Sequence, residues 1–127
     1  MARYLGKPSR IPASPAQAVL DRVANPHPDT EYVARFTAPE FTTLCQITGQ
    51  PDFAHLVIDY VPGKWLLESK SLKLYFFAYR NEGCFMESIC NRILDDLVRL
   101  LRPRKITVTG DFTVRGGIHT VVTVSAP

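Results

Sequence analysis

The hydrophobic pattern of this 127-residue chain changes its period twice, and this change constrains the fold more than any other feature. Two runs near the start alternate apolar and polar residues, which is the pattern of half-buried strands. Two longer runs follow in which apolar residues recur every three or four positions, as they do on an amphipathic helix. Alternation then returns in two further runs. The predicted strands are residues 30–37, 53–61, 106–113 and 118–124, and the predicted helices are residues 68–80 and 87–101.

The residues between these runs are turn formers and support the same division. Pro62-Gly63 ends the second strand, Asn81-Glu82-Gly83 separates the helices, and Pro103 ends the second helix. Arg115-Gly116-Gly117 lies between the last two strands and predicts a β-hairpin. The order ββααββ therefore predicts an α+β fold with an antiparallel sheet. We expect the edges of this sheet to be covered by a neighbouring subunit, because unpaired edges are a liability.

The first 29 residues differ from the rest because they hold five of the ten prolines. Proline fixes φ and removes a hydrogen-bond donor, so residues 1–29 predict an extended arm. Ser14 as an N-cap and Pro15 at the first helical position predict one short helix within it. Residues 30–127 are expected to form a single domain.

Composition excludes several classes of protein. The 15 basic and 12 acidic residues give a net charge of +3, which is too balanced to indicate nucleic-acid binding. Apolar runs are only a few residues long and the start of the chain is polar, so we expect no membrane span, no secretory signal and a cytoplasmic location. The three cysteines lack CxxC spacing, which indicates neither a disulfide framework nor a zinc site. In a reducing compartment a lone cysteine is instead a candidate nucleophile.

Cys45 and Asp52 are the first candidate pair. Both lie in residues 40–53, which the pattern predicts to be an irregular connection between two strands, and reactive groups are often held on such loops. Folding back of the loop would bring the thiol and the carboxyl together, and partial burial would favour a protonated acid that can donate. The alternative is a buried structural cysteine and a turn-forming aspartate, and spacing alone favours this alternative.

The start of the first predicted helix carries a second set of candidates. The carboxylate of Glu68 could accept two hydrogen bonds from a guanine-like edge, while Lys70 and Lys73 could neutralise a dinucleotide phosphate. The alternative is that Glu68 stabilises the helix N-terminus and that the lysines form a solvated face. By chemistry alone this alternative is again favoured.

Several segments together closely resemble the 7-cyano-7-deazaguanine reductases, the QueF-type nitrile reductases of the queuosine pathway, in their short single-domain form. The resemblance runs from about Phe36 to Ile118, and the run ESKSLK is its most diagnostic part. It implies the tunnelling fold, in which ββααββ subunits close into rings whose strands form a shared barrel. The matching segments are Leu44-Cys45, residues 48–54, residues 68–75, Arg80-Asn81, Phe85 with Glu87, and residues 115–118.

The resemblance implies a reaction and a role for each matching residue. Cys45 would attack the nitrile carbon to form a covalent thioimide, and Asp52 would donate a proton to the nitrogen. Two NADPH in sequence would then reduce the nitrile of 7-cyano-7-deazaguanine to the primary amine of 7-aminomethyl-7-deazaguanine. The implied substrate-binding residues are Leu67, Glu68, Ser69, Met86 and Glu87, the implied cofactor-binding residues are Lys70, Lys73, Arg115 and Gly116, and no metal is implied.

The resemblance also implies an assembly. The expected partners are the nitrile base and other copies of the chain, arranged as two stacked pentameric rings with sites between subunits. No membrane and no direct nucleic-acid partner are expected. A chain this small would then be one segment of a ring, and its neighbour would complete the pocket.

The sequence departs from the family pattern at three positions. Met86 stands where a histidine usually precedes the base-binding glutamate, Gln46 where a proline follows the nucleophile, and Val114 where a proline precedes Arg-Gly-Gly. A thioether cannot relay a proton, so the Met86 substitution bears on the rate of reduction. One interpretation is that His55 or His119 takes the place of the missing histidine.

Two alternatives follow from Met86. A related amidinotransferase would form the same thioimide but let ammonia attack it, although the ESKSLK run argues against this reading. A non-enzymatic purine-binding or ring-forming protein is the other. Separately, Cys84 or Cys90 could approach Cys45 and form a reversible protective disulfide.

Overall fold

The computed structural model of the chain describes residues 14, 15 and 18–127, in which six strands and two α-helices follow one another. A 3₁₀ helix at Ala78–Asn81 extends the first α-helix. The strands are β1 (Arg22–Ala24), β2 (Ala34–Leu44), β3 (Pro51–Val61), β4 (Trp65–Leu67), β5 (Lys105–Arg115) and β6 (Ile118–Ala126), and the helices are α1 (Ser69–Phe77) and α2 (Met86–Leu101).

The four long strands form one antiparallel sheet in the order β2-β3-β5-β6, and β1 pairs with β4 as a separate two-stranded sheet. Both helices pack on one face of the long sheet, where alternate residues of β3 and one stripe of α2 meet. The sequence-predicted α+β architecture with an antiparallel sheet is confirmed. The central residues of this core are Ala54, Leu56, Ile58, Tyr60, Ile89, Ile93, Leu97 and Leu101, none more than 2% exposed.

The first long strand starts later and runs further than predicted. It was expected at residues 30–37 but occupies Ala34–Leu44. Tyr32 lies outside the strand because its hydroxyl donates at 2.7 Å to Oδ1 of Asn25 in the preceding loop. Pro39 does not end the strand because β2 is an edge strand, where a missing donor is tolerated, and the register shifts by one residue between Ala38 and Phe41.

The predicted irregular connection at residues 40–53 is therefore wrong in its extent. Thr43 and Asp52 are paired residues of the β2–β3 ladder, which leaves only residues 45–50 between the two strands. Strand pairing extended into this region because the register shift returns Phe41 and Thr43 to the core-facing side, where both are buried. Cys45 is thus the first residue after a strand.

Part of the proline-rich segment is built into the domain. Residues Arg22–Ala24 pair with Trp65–Leu67, and the guanidinium of Arg22 stacks over the Trp65 ring at 3.9 Å and donates to the Leu100 carbonyl. The short helix predicted around Ser14 and Pro15 includes residues outside the described ones.

The predicted hairpin between the last strands is present. Arg115 pairs with Ile118 across a two-residue turn formed by Gly116 and Gly117. Their φ angles of 58° and 77° are left-handed, which glycine adopts without strain and which suits the twist of a hairpin.

Within the described residues, no helix is long and apolar enough to cross a membrane. In the same part of the chain no group of three or more histidine, cysteine, aspartate or glutamate side chains is arranged to hold a metal ion.

Close packing of α2 on β5 gives a test of the fold. A Cβ added at Gly110 would lie 2.7 Å from Cys90 Sγ and 2.8 Å from an atom of the Phe112 ring. We expect Gly110→Ala to lower the free energy of unfolding by about 1–3 kcal/mol, and to lower it less in a Cys90→Ala background, measured by urea denaturation.

Gly63→Ala is the matched control, because its Cβ would meet only the Arg102 carbonyl at 3.6 Å, an ordinary contact. Equal effects of the two alanine substitutions would contradict the close approach of α2 to β5.

Candidate active site

Cys45 begins a tight turn that joins β2 to β3. Its N–H donates to the Gln50 carbonyl at 2.7 Å, and its carbonyl accepts from the Gly49 N–H at 2.9 Å. Gly49 has φ 73°, a left-handed conformation that a side chain would strain. The turn therefore holds Cys45 in one place beside the first residues of β3.

The turn also activates the thiol. The pKa of Cys45 is below its ordinary value because the Thr48 side chain and the backbone groups of Thr48 and Ile47 hydrogen-bond to the sulfur. Desolvation and the nearby charge of Asp52 act in the opposite direction but are smaller. Since the thiolate is the nucleophilic form, a lowered pKa is what the hypothesis of a reactive cysteine requires.

Asp52 lies next to Cys45 on the core-facing side of β3 and is 5% exposed. Its carboxylate accepts from the Arg115 guanidinium, which also donates to Gln50 Oε1. Arg115 reaches this side of the sheet because the β5–β6 register shifts between Phe112 and Arg115. Asp52 is thus near enough for its charge to act on the Cys45 thiol, and it has a cationic partner that the sequence did not place there.

The start of α2 lies close to the same end of the sheet. The Thr43 hydroxyl donates to the Glu82 carbonyl at 2.7 Å, the Leu44 N–H donates to the same carbonyl at 3.0 Å, and Leu44 forms a bridge with Gly83. These bonds hold the segment before α2 against the end of β2. Met86 begins α2 and packs against the core, while Glu87 is exposed in its first turn.

Glu68 serves α1 as its N-cap. Its two carboxylate oxygens accept from the N–H groups of Ser71 at 2.7 Å and Lys70 at 2.8 Å, and the residue is 5% exposed. The Asp21 carbonyl accepts from the Glu68 N–H at 3.1 Å, so the N-terminal segment helps to fix this position. Glu68 therefore caps the helix, as the alternative interpretation predicts. Each of its two carboxylate oxygens accepts a hydrogen bond from a backbone N–H.

The two predicted halves of the site lie at opposite ends of the sheet. Asp52 is near the start of β3, whereas the Tyr60 hydroxyl near its end accepts from the Leu67 N–H at 3.0 Å. Eight residues of antiparallel strand from 52 to 60 span about 27 Å. Leu67, Glu68 and Ser69 therefore do not meet Cys45 within one chain.

A groove of about 450 Å³ runs between β2 and α1 and presents basic groups above an aromatic floor. Ser69 and Lys73 line one side, and Arg80 lies over the Phe77 ring at 5.7 Å. Cations beside aromatic rings are the groups that a phosphorylated cofactor with flat rings requires. Arg115 and Gly116 lie at the Asp52 end of the sheet, which the groove approaches at Phe41 and Thr42.

The histidines that were considered as replacements lie on the other face of the sheet. His55 is opposite Asp111 in the β3–β5 ladder, and His119 Nε2 is 2.5 Å from Asp111 Oδ1. Met86 belongs to α2, on the core-facing side. The suggestion that His55 or His119 takes over at Met86 is therefore wrong within one chain.

The other cysteines are both free. Cys90 is buried beneath Gly110, and burial raises the pKa of its thiol to about 11. Cys84 directly follows Gly83, the residue that forms a bridge with Leu44, so Cys84 is nearer than Cys90 in sequence to this bridge. Burial and then the charge of Glu82 raise the pKa of Cys84, unlike that of Cys45.

Fold and site together define a class: an α+β subunit of the tunnelling fold with a cysteine–aspartate pair at one end of its sheet. The family model described as QueF-like protein matches residues 51–127. An NADPH-dependent 7-cyano-7-deazaguanine reductase of Parvibaculum lavamentivorans (strain DS-1) is 59% identical over 116 residues, covering 91% of this chain and 75% of that protein. One of Methylorubrum extorquens (strain PA1) is 61% identical over 117 residues, covering 92% and 76%.

A solved structure shares the fold at low sequence identity. The archaeosine synthase QueF-Like in its apo form superposes with a TM-score of 0.69 at 18% identity, covering 74% of this chain and 92% of that one. The match to the family model and the identity to these relatives assign the family. The chain belongs to the QueF-like family.

The turn after β2 gives a test of thiol activation. Replacing Thr48 by valine removes the hydroxyl that contributes most to the low pKa of Cys45, so the pKa should rise towards that of a free thiol. Alkylation of Cys45 by iodoacetamide, followed by peptide mass spectrometry across pH, should show its midpoint move upward.

Thr42→Val is the control, since the Thr42 hydroxyl bonds only to the Glu40 carbonyl on the exposed edge of β2. Unchanged Cys45 alkylation in Thr48→Val would show that the hydroxyl does not stabilise the thiolate.

Proposed function

We propose that this chain is an NADPH-dependent 7-cyano-7-deazaguanine reductase. The observation that carries the proposal is the Cys45 thiol, whose pKa is lowered by its turn and which lies beside the buried Asp52. Relatives about 60% identical over nine-tenths of the chain bear that name. The amidinotransferase alternative has only the fold likeness at 18% identity behind it.

In the first step the Cys45 thiolate attacks the carbon of the nitrile. A carbon–sulfur bond forms, one carbon–nitrogen π bond breaks, and the nitrogen takes a proton from the carboxyl of Asp52. The product is a neutral thioimide and an Asp52 carboxylate, with no change in oxidation state. A thioimide accepts a nucleophile more readily than a nitrile does, which is the reason for covalent catalysis here.

NADPH would supply the hydrides, two for each nitrile converted to a primary amine, with two protons taken up, the carbon–sulfur bond broken and the Cys45 thiolate released. The chain offers Lys73 in the groove between β2 and α1, with Lys70 in the same helix turn, as partners for its phosphates. Arg115 and Gly116 would contact the cofactor at the Asp52 end of the sheet. These residues suit an anionic ligand with flat rings.

The active site is shared between copies of the chain. Asp52 lies about 27 Å along β3 from Tyr60, whose hydroxyl accepts from the Leu67 N–H, so the substrate-binding segment beside Cys45 comes from a neighbour. Both β2 and β6 are sheet edges within the described residues, and continuation of the sheet from copy to copy would pair them. The assembly we propose is the one that the family resemblance implies, closed rings of which two stack as pentamers.

Met86 and Glu87 complete the base-binding part. Glu87 is exposed at the first turn of α2, where its carboxylate can accept hydrogen bonds from a guanine-like edge. Met86 supplies an apolar contact in place of a proton-relaying histidine, so the proton handled there in relatives must come from solvent or from Asp52.

The proposal predicts covalent labelling and cofactor oxidation. Incubation of the protein with 7-cyano-7-deazaguanine should add the mass of the base to the peptide containing Cys45, and addition of NADPH should then lower its absorbance. Cys45→Ala should abolish both signals, and Asp52→Asn should slow labelling by about 10²–10⁴-fold.

Cys84→Ala is the matched cysteine control and should label like the parent. Met86→His should raise the rate of NADPH oxidation without changing the labelled residue. Absence of an adduct in the folded, reduced parent would contradict the proposed function, and an adduct without NADPH oxidation would indicate a binding protein.

Sharing of the site predicts complementation between two inactive variants. Cys45→Ala removes the nucleophile, and Lys73→Ala removes an exposed cation that lines the groove between β2 and α1. Unfolding and reassembly of an equal mixture should restore about one quarter of parental activity, since one site in four would take both intact halves from different copies. No recovery in a mixture that has reassembled to the parental size would contradict a shared site.

A further inference from the structure

Thr43 occupies a position of β2 where packing alone would favour an apolar residue. It lies on the core-facing side of the strand, two residues after the buried Phe41, and its side chain is fully buried. A buried hydroxyl costs free energy unless it forms a hydrogen bond. The Thr43 hydroxyl forms one by donating to the Glu82 carbonyl at 2.7 Å. The polar group in this core position is therefore directed at the segment that precedes α2.

The Glu82 carbonyl does not depend on Thr43 for a hydrogen bond. It also accepts from the Leu44 N–H at 3.0 Å, so a valine at position 43 would leave it with a backbone partner. Valine branches at the same carbon as threonine and would occupy the same buried space. Two donors on the two lone pairs of one carbonyl fix its direction as well as its distance. The Thr43 hydroxyl thus adds orientation to a carbonyl that the backbone already satisfies.

The segment that contains Glu82 is fixed from both helices as well as from β2. The Glu82 N–H donates to the Tyr79 carbonyl at 2.9 Å, at the end of the 3₁₀ helix that extends α1. Its carboxylate accepts from the Arg92 guanidinium of α2 at 3.2 Å. The next residue, Gly83, forms the bridge with Leu44. These contacts leave residues 82 and 83 little freedom to shift relative to the end of β2.

This segment connects two groups that the proposed reaction has to align. Cys45 directly follows Leu44 on the strand side of the bridge, and Glu87 lies in the first turn of α2 on the other side. A base held by Glu87 has to present its nitrile carbon to the Cys45 thiolate. A misplacement of about 1 Å between reacting atoms can lower a rate by about 10²-fold. The bond between Thr43 and the segment therefore bears on the speed of capture.

We propose that Thr43 is a positioning residue that sets the distance between the Cys45 thiolate and a base held by Glu87. This inference rests on the proposed function. Thr43 acts through the Glu82 carbonyl and not through contact with the base. The hydrogen bonds that lower the pKa of Cys45 come from its own turn, residues 47 and 48. Loss of the Thr43 hydroxyl should therefore slow the capture of the base and leave the reactivity of the thiol itself unchanged.

The test follows formation of the Cys45 adduct by mass spectrometry at increasing concentrations of 7-cyano-7-deazaguanine, without NADPH. In Thr43→Val we expect the rate at saturating base to fall by about 10-fold, since the base still binds but its nitrile carbon is no longer aligned with the thiolate. The half-saturating concentration should stay close to the parental value. Alkylation of Cys45 by iodoacetamide at the same pH should keep its parental rate. Thr43→Ser keeps the hydroxyl and should restore most of the lost rate.

Thr107→Val is the matched control. It removes a threonine hydroxyl from the same sheet, but one that bonds to Ser125 Oγ at 2.9 Å on the face away from the helices, so adduct formation should match that of the parent. Urea unfolding of each variant shows that the comparison is made on folded protein. If Thr43→Val does not fold, Arg92→Gln takes its place, because it removes the bond that α2 makes to the Glu82 carboxylate and should slow the same step.

Three results would overturn the inference. A parental saturating rate in Thr43→Val, or in Arg92→Gln where that variant is used, would show that the segment needs no such tie. Equal losses in adduct formation and in alkylation would show that the hydroxyl acts on the thiol. A Thr43→Ser variant as slow as Thr43→Val would show that the hydroxyl is not the cause. None of these results contradicts the proposed function, which fails if the folded, reduced parent forms no adduct.

Discussion

The length and rigidity of β3 govern how this protein can work. The strand is paired on both sides, with β2 and with β5, and its core-facing residues are buried, so its two ends cannot approach each other. Asp52 lies at one end of the strand and Tyr60 lies at the other. The Tyr60 hydroxyl accepts from the N–H of Leu67, the residue just before the ESKSLK run. In the proposed function, a site that uses both ends draws on more than one copy of the chain.

Two register shifts decide which residues reach the catalytic end of the sheet. Each inserts one residue into an edge ladder, which turns the following residues to the opposite face. In β2 the shift brings Phe41 and Thr43 inward and lets the strand continue to Leu44, so that Cys45 follows directly. In β5 the shift brings Arg115 to Asp52. Without these shifts the thiol and the carboxylate would lack their present partners.

The turn after β2 and the first residues of β3 hold a thiol and a carboxylate that have different partners. Hydrogen bonds from Thr48 and Ile47 lower the pKa of the Cys45 thiol, and the Asp52 carboxylate accepts from the Arg115 guanidinium. In the proposed reaction the thiolate is the nucleophile and Asp52 is the proton donor.

The sequence by itself determined the order of the four long strands and two helices and the hairpin at Gly116-Gly117, and it predicted the candidate reactive residues, since periodicity, turn formers and the ESKSLK motif are local signals. The sequence predicted that the first long strand begins at residue 30 and that residues 40–53 form an irregular loop. The loop was predicted wrongly because a one-residue register shift depends on strand pairing and cannot be recognised in the sequence of a single strand. Only the tertiary structure decided that Arg115 pairs with Asp52, that Glu68 caps α1, and that the two halves of the site lie at opposite ends of one sheet. Those facts depend on contacts between residues far apart in the chain, which no local pattern encodes.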